Sequence, residues 1–164
     1  MTCFSDPAQA IAALINCIIS AIPLCDSKDG LVPPRVHAGP DGTGEGLDCC
    51  PCGLLIVEDG DIEPVPGGTT VGGRLCKGYE QTYTVRYLTC FQPLTRGGTM
   101  KKVEDLTAEA LALTQLRWDV LRAVSCCGSG SCFRVQRMAA VRPEGGCAGF
   151  ELIVTAQLAA CGCP

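Results

Sequence analysis

The chain has no long apolar run, a single histidine and no excess of positive charge, and each shortage removes a class of function. No stretch of its 164 residues approaches the roughly 20 apolar residues needed to span a bilayer. The formal net charge is −4, which argues against a nucleic-acid-binding surface as the main business of the protein. The one histidine, His37, sits in a Gly/Pro-rich segment without a nucleophile elbow or triad signature, and reads as non-catalytic. Lys and Arg are also missing ahead of the apolar N-terminal stretch AQAIAALINCIISAI, which Gln9 and Asn16 interrupt. A secretory signal begins with a basic region. The chain is therefore expected to be made and folded in a cytosol.

What is present suits one globular domain spanning residues 1–164. Hydrophobic residues make up 47% and charged ones 18%, enough apolar surface for a real core. Fourteen cysteines sit uneasily with a cytosolic origin, because such density points to a disulfide scaffold or to metal sites. Plain buried thiols packing as small hydrophobes are a third reading.

Two helices and several strands are legible. Ser5 and Asp6 are good N-caps, Pro7 occupies the favoured first helical position, and Pro23 stops the helix, which places helix one over about Pro7 to Ala21. Ile11, Leu14, Ile15, Ile18 and Ile22 form its apolar stripe. Residues 25–52 are rich in Gly, Pro and Asp and read as a long irregular loop. Leu54 to Val57 is a short apolar strand, and DIEPVPGGTTVGG after it is a further loop or a strand edge. Tyr79 to Thr89 alternates cleanly, with Tyr79, Tyr83, Val85 and Tyr87 on one parity and Glu80, Thr82, Thr84 and Arg86 on the other. Asp105 to Val124 reads as an amphipathic helix with Thr107 as N-cap and Glu109 in the first turn. Its buried stripe is Leu113, Leu116, Val120 and Val124, with Arg117 and Asp119 facing out. Two strands close the chain, CFRVQRMAAVRP and FELIVTAQLAA, joined by EGGCAG; on the second, Phe150, Leu152, Val154, Ala156 and Leu158 share one face. A hairpin alone is marginal in water. The expected fold is therefore α+β, a single antiparallel or mixed sheet packed by two main helices.

Few constellations could carry chemistry. GPDGTGEG lacks the Lys-Ser/Thr ending of a phosphate loop. Asp59, Asp61 and Glu63 read as a solvated turn in preference to a cation site. The cysteines weigh more. Cys49 and Cys52 have CxxC spacing within CCPC, Cys126, Cys127 and Cys132 form a second group, and Cys161 and Cys163 a third. Two groups meeting in space could hold zinc, while doubled cysteines also suit disulfides and CxxC suits thiol exchange. The three readings stay open on spacing alone.

The order of helix, DCCPCGLLIVED strand, central strand YTVRYLTC, helix DLTAEALALTQLRWDVLRAVSCC and closing RPEGGCAGFELIVTAQL resembles the tail terminator (tail-completion) proteins of long-tailed phages infecting actinobacteria. The resemblance covers about Asp48 to Leu158, in pieces. It does not extend to the segment Ser27 to Gly46, nor to Cys3, Cys17, Cys76 and Cys90. It implies a structural virion protein without catalysis or a required cofactor, assembled in the bacterial host cytoplasm and placed at the head–tail junction. Copies would form a ring, usually a hexamer, that caps the tail tube and docks the head-completion protein, with genome DNA passing through unbound and no membrane involved. A head–tail stopper or connector subunit is the near neighbour. A zinc- or disulfide-stabilised binding module is the reading from another class. A thiol oxidoreductase using Cys49 and Cys52 ranks last, because a redox CxxC normally opens a helix after a strand and CCPC precedes a strand.

Overall fold

The computed structural model describes residues 4–27, 30–39, 48–50, 52–71, 74–95, 97–127 and 132–161. It opens with helix α1, Pro7–Ala21, whose N-cap Asp6 accepts a hydrogen bond from the Gln9 amide at 2.9 Å. Ala10, Leu14 and Ile18 are its buried positions and the C-cap Ile22 follows them, a spacing of four throughout, while Ile11 and Ile15 of the expected stripe are partly buried. Three short strands follow, β1 (Cys25–Ser27), β2 (Gly30–Val32) and β3 (Arg35–Gly39). Two long strands come next, β4 (Leu54–Val71) and β5 (Arg74–Cys90). Helix α2 (Val103–Ser125) then leads to β6 (Phe133–Glu144) and β7 (Cys147–Cys161).

The chain is α+β, with seven strands in two sheets among the described residues. The main sheet has the order β3-β4-β5-β7-β6, and β1 pairs only with β2 in a small ribbon. All pairs are antiparallel except β3 with β4. Both helices pack on one face. Leu14 and Ile18 of α1 and Val120 and Val124 of α2 meet Leu55, Val57, Tyr83, Val85, Phe150, Leu152 and Val154 in a single fully buried cluster. Burial of such side chains contributes on the order of 1.5–3 kcal/mol each. On the opposite face Arg86 of β5 bridges Glu58 of β4 at 3.1 Å and Glu151 of β7 at 2.9 Å. Such part-exposed ion pairs fix register more than they stabilise.

The differences from the sequence expectation concern edges. The stretch over 25–52 is not simply an irregular loop, since β1, β2 and β3 lie within it. The strand β3 runs parallel to β4 along Arg35–Gly39, and a parallel neighbour needs a long connection, which residues 40–53 provide. His37 lies on this strand, half-buried and opposite Ile56. Most of GPDGTGEG falls outside the described residues.

The short strand at Leu54 to Val57 is the first part of an eighteen-residue strand, and DIEPVPGGTTVGG continues it. Pro64 and Pro66 are tolerated because β3 covers β4 only from Leu54 to Glu58. Beyond that, β4 has no outer neighbour among the described residues, and proline loses nothing on an open edge. Register shifts between Asp59 and Ile62 and between Pro64 and Gly68 absorb the irregular sequence. Asp59, Asp61 and Glu63 therefore line an exposed strand instead of a turn.

Helix α2 starts four residues before the expected cap. Lys102 is the N-cap, without a side-chain hydrogen bond, and the Thr107 hydroxyl donates back to the Val103 carbonyl inside the helix. Glu104 and Asp105 supply the first-turn negative charge, while Glu109 pairs with Lys101. Val120 and Val124 are buried as expected; Leu113 and Leu116 are partly buried against the core, and Arg117 and Asp119 are half-buried instead of facing out.

Candidate functional site

The cysteines gather mainly at one end of the main sheet, and the register shows why. Cys90 ends β5 and Cys147 begins β7, and the two stand opposite one another in the ladder. Segment 48–53 crosses this end. Its entry is an Asx-type turn in which Asp48 Oδ1 accepts the Cys50 amide at 2.9 Å, and the Gly53 amide returns to the Cys49 carbonyl at 2.9 Å. Arg35 of β3 donates to the Asp48 carbonyl. Gly53 carries a positive φ of 80°, and a Cβ there would meet the Tyr87 hydroxyl at 2.8 Å. Glycine is required on both counts.

Held this way, the CCPC cysteines point in different directions. Cys49 is bonded to Cys147, Cys50 to Cys90, and Cys52 to Cys25 at the start of β1. A fourth disulfide, Cys17–Cys127, ties α1 to the residue just past α2. Cys132 is also disulfide-bonded. Cys126 is a free, exposed thiol. Cys161 ends β7 and Cys76 lies on β5; Cys3 and Cys163 lie outside the described residues.

This arrangement favours the disulfide reading among the three that spacing alone left open. Zinc needs thiolates, and the sulfurs of Cys49, Cys52, Cys127 and Cys132 are each committed to a disulfide. The groups of Cys49–Cys52 and Cys126–Cys132 do not converge on one centre, because Cys49 and Cys52 bond to β7 and β1 while Cys127 bonds to α1. Asp48, Cys49 and Cys50 do bring three ligand-type atoms within 4.8 Å of one another, but both sulfurs are oxidised. The CxxC thiol-exchange reading meets the same obstacle: Cys49 and Cys52 are bonded to separate partners and not to each other. Spacing missed the actual partners, Cys17, Cys25, Cys90 and Cys147. The available signal was positional, since Cys90 and Cys147 flank strand boundaries.

A second feature lies on the helix-covered side of the sheet, where α2 crosses β6, the last strand in the sheet order. A groove of about 470 Å³ opens there, with Thr114, Arg117, Trp118 and Leu121 on one wall and Arg137 and Met138 on the other. Arg117 and Arg137 are among its lining residues, and no acidic residue is. The Arg117 Nε is buried without a hydrogen-bond partner. Trp118 is 56% exposed at its mouth. The sequence offered one hint, the sole tryptophan on an outward turn of an amphipathic helix.

Two tyrosines in the core are electrostatically perturbed. Burial raises the Tyr83 hydroxyl well above the range of a free phenol, and the charges of Asp59 and Asp6 add to this. Burial also raises Tyr87, against a hydrogen bond with Thr89 that lowers it. Both are neutral packing groups at ordinary pH. No helix among the described residues is long and apolar enough to cross a membrane. No protein-family model and no curated protein matches the chain.

Proposed function

We propose that the chain is a structural subunit without catalysis of its own, a ring-forming tail terminator at the head–tail junction of a long-tailed phage. Copies close into a ring, six by the resemblance, that caps the tail tube and offers a face to the head-completion or stopper protein. Genome DNA passes through the ring without specific binding, and the site of action is the virion. The observation that supports this reading is the stretch of β4 from Asp59 onward, which has no outer neighbour among the described residues and leaves Ile62 50% and Val65 38% accessible. Exposed apolar edge residues mark a surface that neighbouring subunits cover. The disulfides accord with a particle exposed to oxidising surroundings after release from its host.

The test is electron microscopy of the purified chain mixed with tubes assembled from the tube protein encoded beside it. The expected result is a ring seated on one tube end and an arrest of tube growth. Tubes that keep growing with bare ends overturn the reading.

The disulfides also favour a second reading, a disulfide-stabilised binding module acting outside a cell. The four described cross-links spanning 27 to 110 residues would hold such a module together where reductants are absent. A chain that stays monomeric and leaves tubes uncapped favours the module.

A further inference from the structure

Four sulfurs meet at the cysteine-rich end of the main sheet, and we propose that in the reduced chain they form a zinc site. The ligands are the thiolates of Cys49, Cys50, Cys90 and Cys147, which the structure holds as two disulfides. Zinc and the disulfide pair are thus alternative clamps on the same strand ends. The site does not depend on the ring reading.

Proximity is the first observation. The Cys49 and Cys50 sulfurs belong to different disulfides, yet they lie 3.8 Å apart. Their bonded partners, Cys147 and Cys90, are each one covalent bond further out. Four thiolates around a tetrahedral zinc at about 2.3 Å stand about 3.8 Å from one another. The Cys49–Cys50 distance already matches one edge of that tetrahedron. Opening each S–S bond to the same separation asks for side-chain rotation, with the Cα atoms of the two pairs 6.1 and 4.9 Å apart.

Hydrogen bonds that do not involve the sulfurs hold the four positions. Cys90 and Cys147 are partners in the ladder of β5 and β7, and the Phe91 amide donates to the Gly146 carbonyl at 2.8 Å beside them. Cys49 and Cys50 sit in the turn that the Asp48 carboxylate and the Gly53 amide close. The Arg35 guanidinium donates to the Asp48 carbonyl, which sets a positive charge near a site that carries two negative charges when loaded. Asp48 brings a carboxylate oxygen within 4.8 Å of both sulfurs. Its Oδ1 already accepts the Cys50 amide, so the carboxylate positions the turn and the thiolates fill the tetrahedron. Cys49 is fully buried and the other three are half-buried, a closed site of the structural kind. All-sulfur tetrahedral coordination suits zinc.

The two clamps interconvert by a balanced exchange. Four thiols and one Zn²⁺ give the tetrathiolate complex and four protons. A small-molecule disulfide such as oxidised glutathione reverses the loading. Two such molecules accept four electrons and leave as four thiolates, while both protein S–S bonds form and Zn²⁺ departs. In a bacterial cytosol thiols stay reduced, and there zinc holds segment 48–53 across the sheet end. In oxidising surroundings the disulfides do so.

The full chain, reduced with a phosphine that is then removed under nitrogen, is titrated with Zn²⁺ against a chromophoric chelator. One zinc per chain should bind with a Kd of about 10⁻⁸ M or tighter. Zinc should shield Cys49, Cys50, Cys90 and Cys147 from alkylation, mapped by peptide mass spectrometry, while Cys25 and Cys52 react. Cys90→Ser and Cys147→Ser should each weaken binding beyond the roughly 10–100-fold that loss of an outer-shell partner costs. The paired change Cys25→Ser with Cys52→Ser should leave the affinity unchanged. Oxidised glutathione should expel the zinc and restore both disulfides. A reduced chain that binds no zinc, folded or not, overturns the proposal. So does zinc that shields a different set of cysteines, or that binds Cys147→Ser undiminished. Chains that cap tubes yet bind no zinc when reduced keep the structural reading and overturn this site alone.

Discussion

Cys90 and Cys147 face each other across β5 and β7, yet each is bonded to a different member of the adjacent pair Cys49–Cys50. One dipeptide thus clamps two neighbouring strands at their shared end. The clamp predicts a distinctive digest. Proteolysis without reductant should release one linked species joining the Cys49–Cys52 segment to those of Cys25, Cys90 and Cys147, resolved by mass spectrometry. Alkylation of the native protein should label Cys126 while sparing the nine described cysteines that are bonded. Alkylation of Cys49 or Cys147 in the native protein would refute the pairing.

The Cys17–Cys127 bond closes a segment of 110 residues and fastens α1 to the end of α2. Long closed segments restrict the unfolded chain most in the chain-entropy account. The paired change Cys17→Ser with Cys127→Ser should lower stability by about 2–4 kcal/mol in urea unfolding. The other three described disulfides should remain intact in the folded variant.

Tyr83 donates its hydroxyl proton to Gln81 Oε1 at 2.7 Å, and both side chains lie on the buried face of β5. Tyr83→Phe strands the glutamine oxygen and should cost about 1–3 kcal/mol at neutral pH. The same hydroxyl sets an alkaline limit. The folded state holds this proton more tightly than the unfolded chain, whose phenols titrate near about pH 10. Its contribution is therefore full below that pH and declines as pH rises toward the higher folded value. Urea unfolding at about pH 7 and about pH 11, in a Cys126→Ser background to prevent thiol exchange, should show a shallower alkaline decline in Tyr83→Phe. An equal decline in both chains would exclude Tyr83 as the source.

Gly149 lies on β7 opposite Leu88, where a Cβ would collide with the Tyr87 carbonyl oxygen. The obstacle is backbone and cannot rotate away. Gly149→Ala should force β5 and β7 apart and cost about 1–3 kcal/mol or more. Gly97→Ala is the control, because the nearest atom to its added Cβ is a threonine hydroxyl at 3.9 Å. Its melting temperature should stay near that of the unmodified chain.

Periodicity was legible wherever one face of an element is buried. The Tyr83, Val85 and Tyr87 parity, the Phe150 to Leu158 parity and the Leu14, Ile18 and Ile22 stripe are local consequences of burial, and all appear in the core. The Pro and Gly content of DIEPVPGGTTVGG concealed a strand, because turn-forming residues are tolerated on an edge that has no outer neighbour. RVHAG in β3 likewise carries no strong alternation, being a short edge strand whose partner is fixed by a parallel contact.

The sequence alone determined the α+β class, because helical and strand periods require only neighbours a few residues apart. It also determined that cysteine would matter, through sheer number. Tertiary structure decided which sulfurs meet, because Cys49 and Cys147 lie 98 residues apart in sequence and are joined only after β5 and β7 align. It likewise decided that Arg117 and Arg137, on a helix and a distant strand, line one groove. Proximity across a sheet is a property of the folded chain, and no local spacing encodes it.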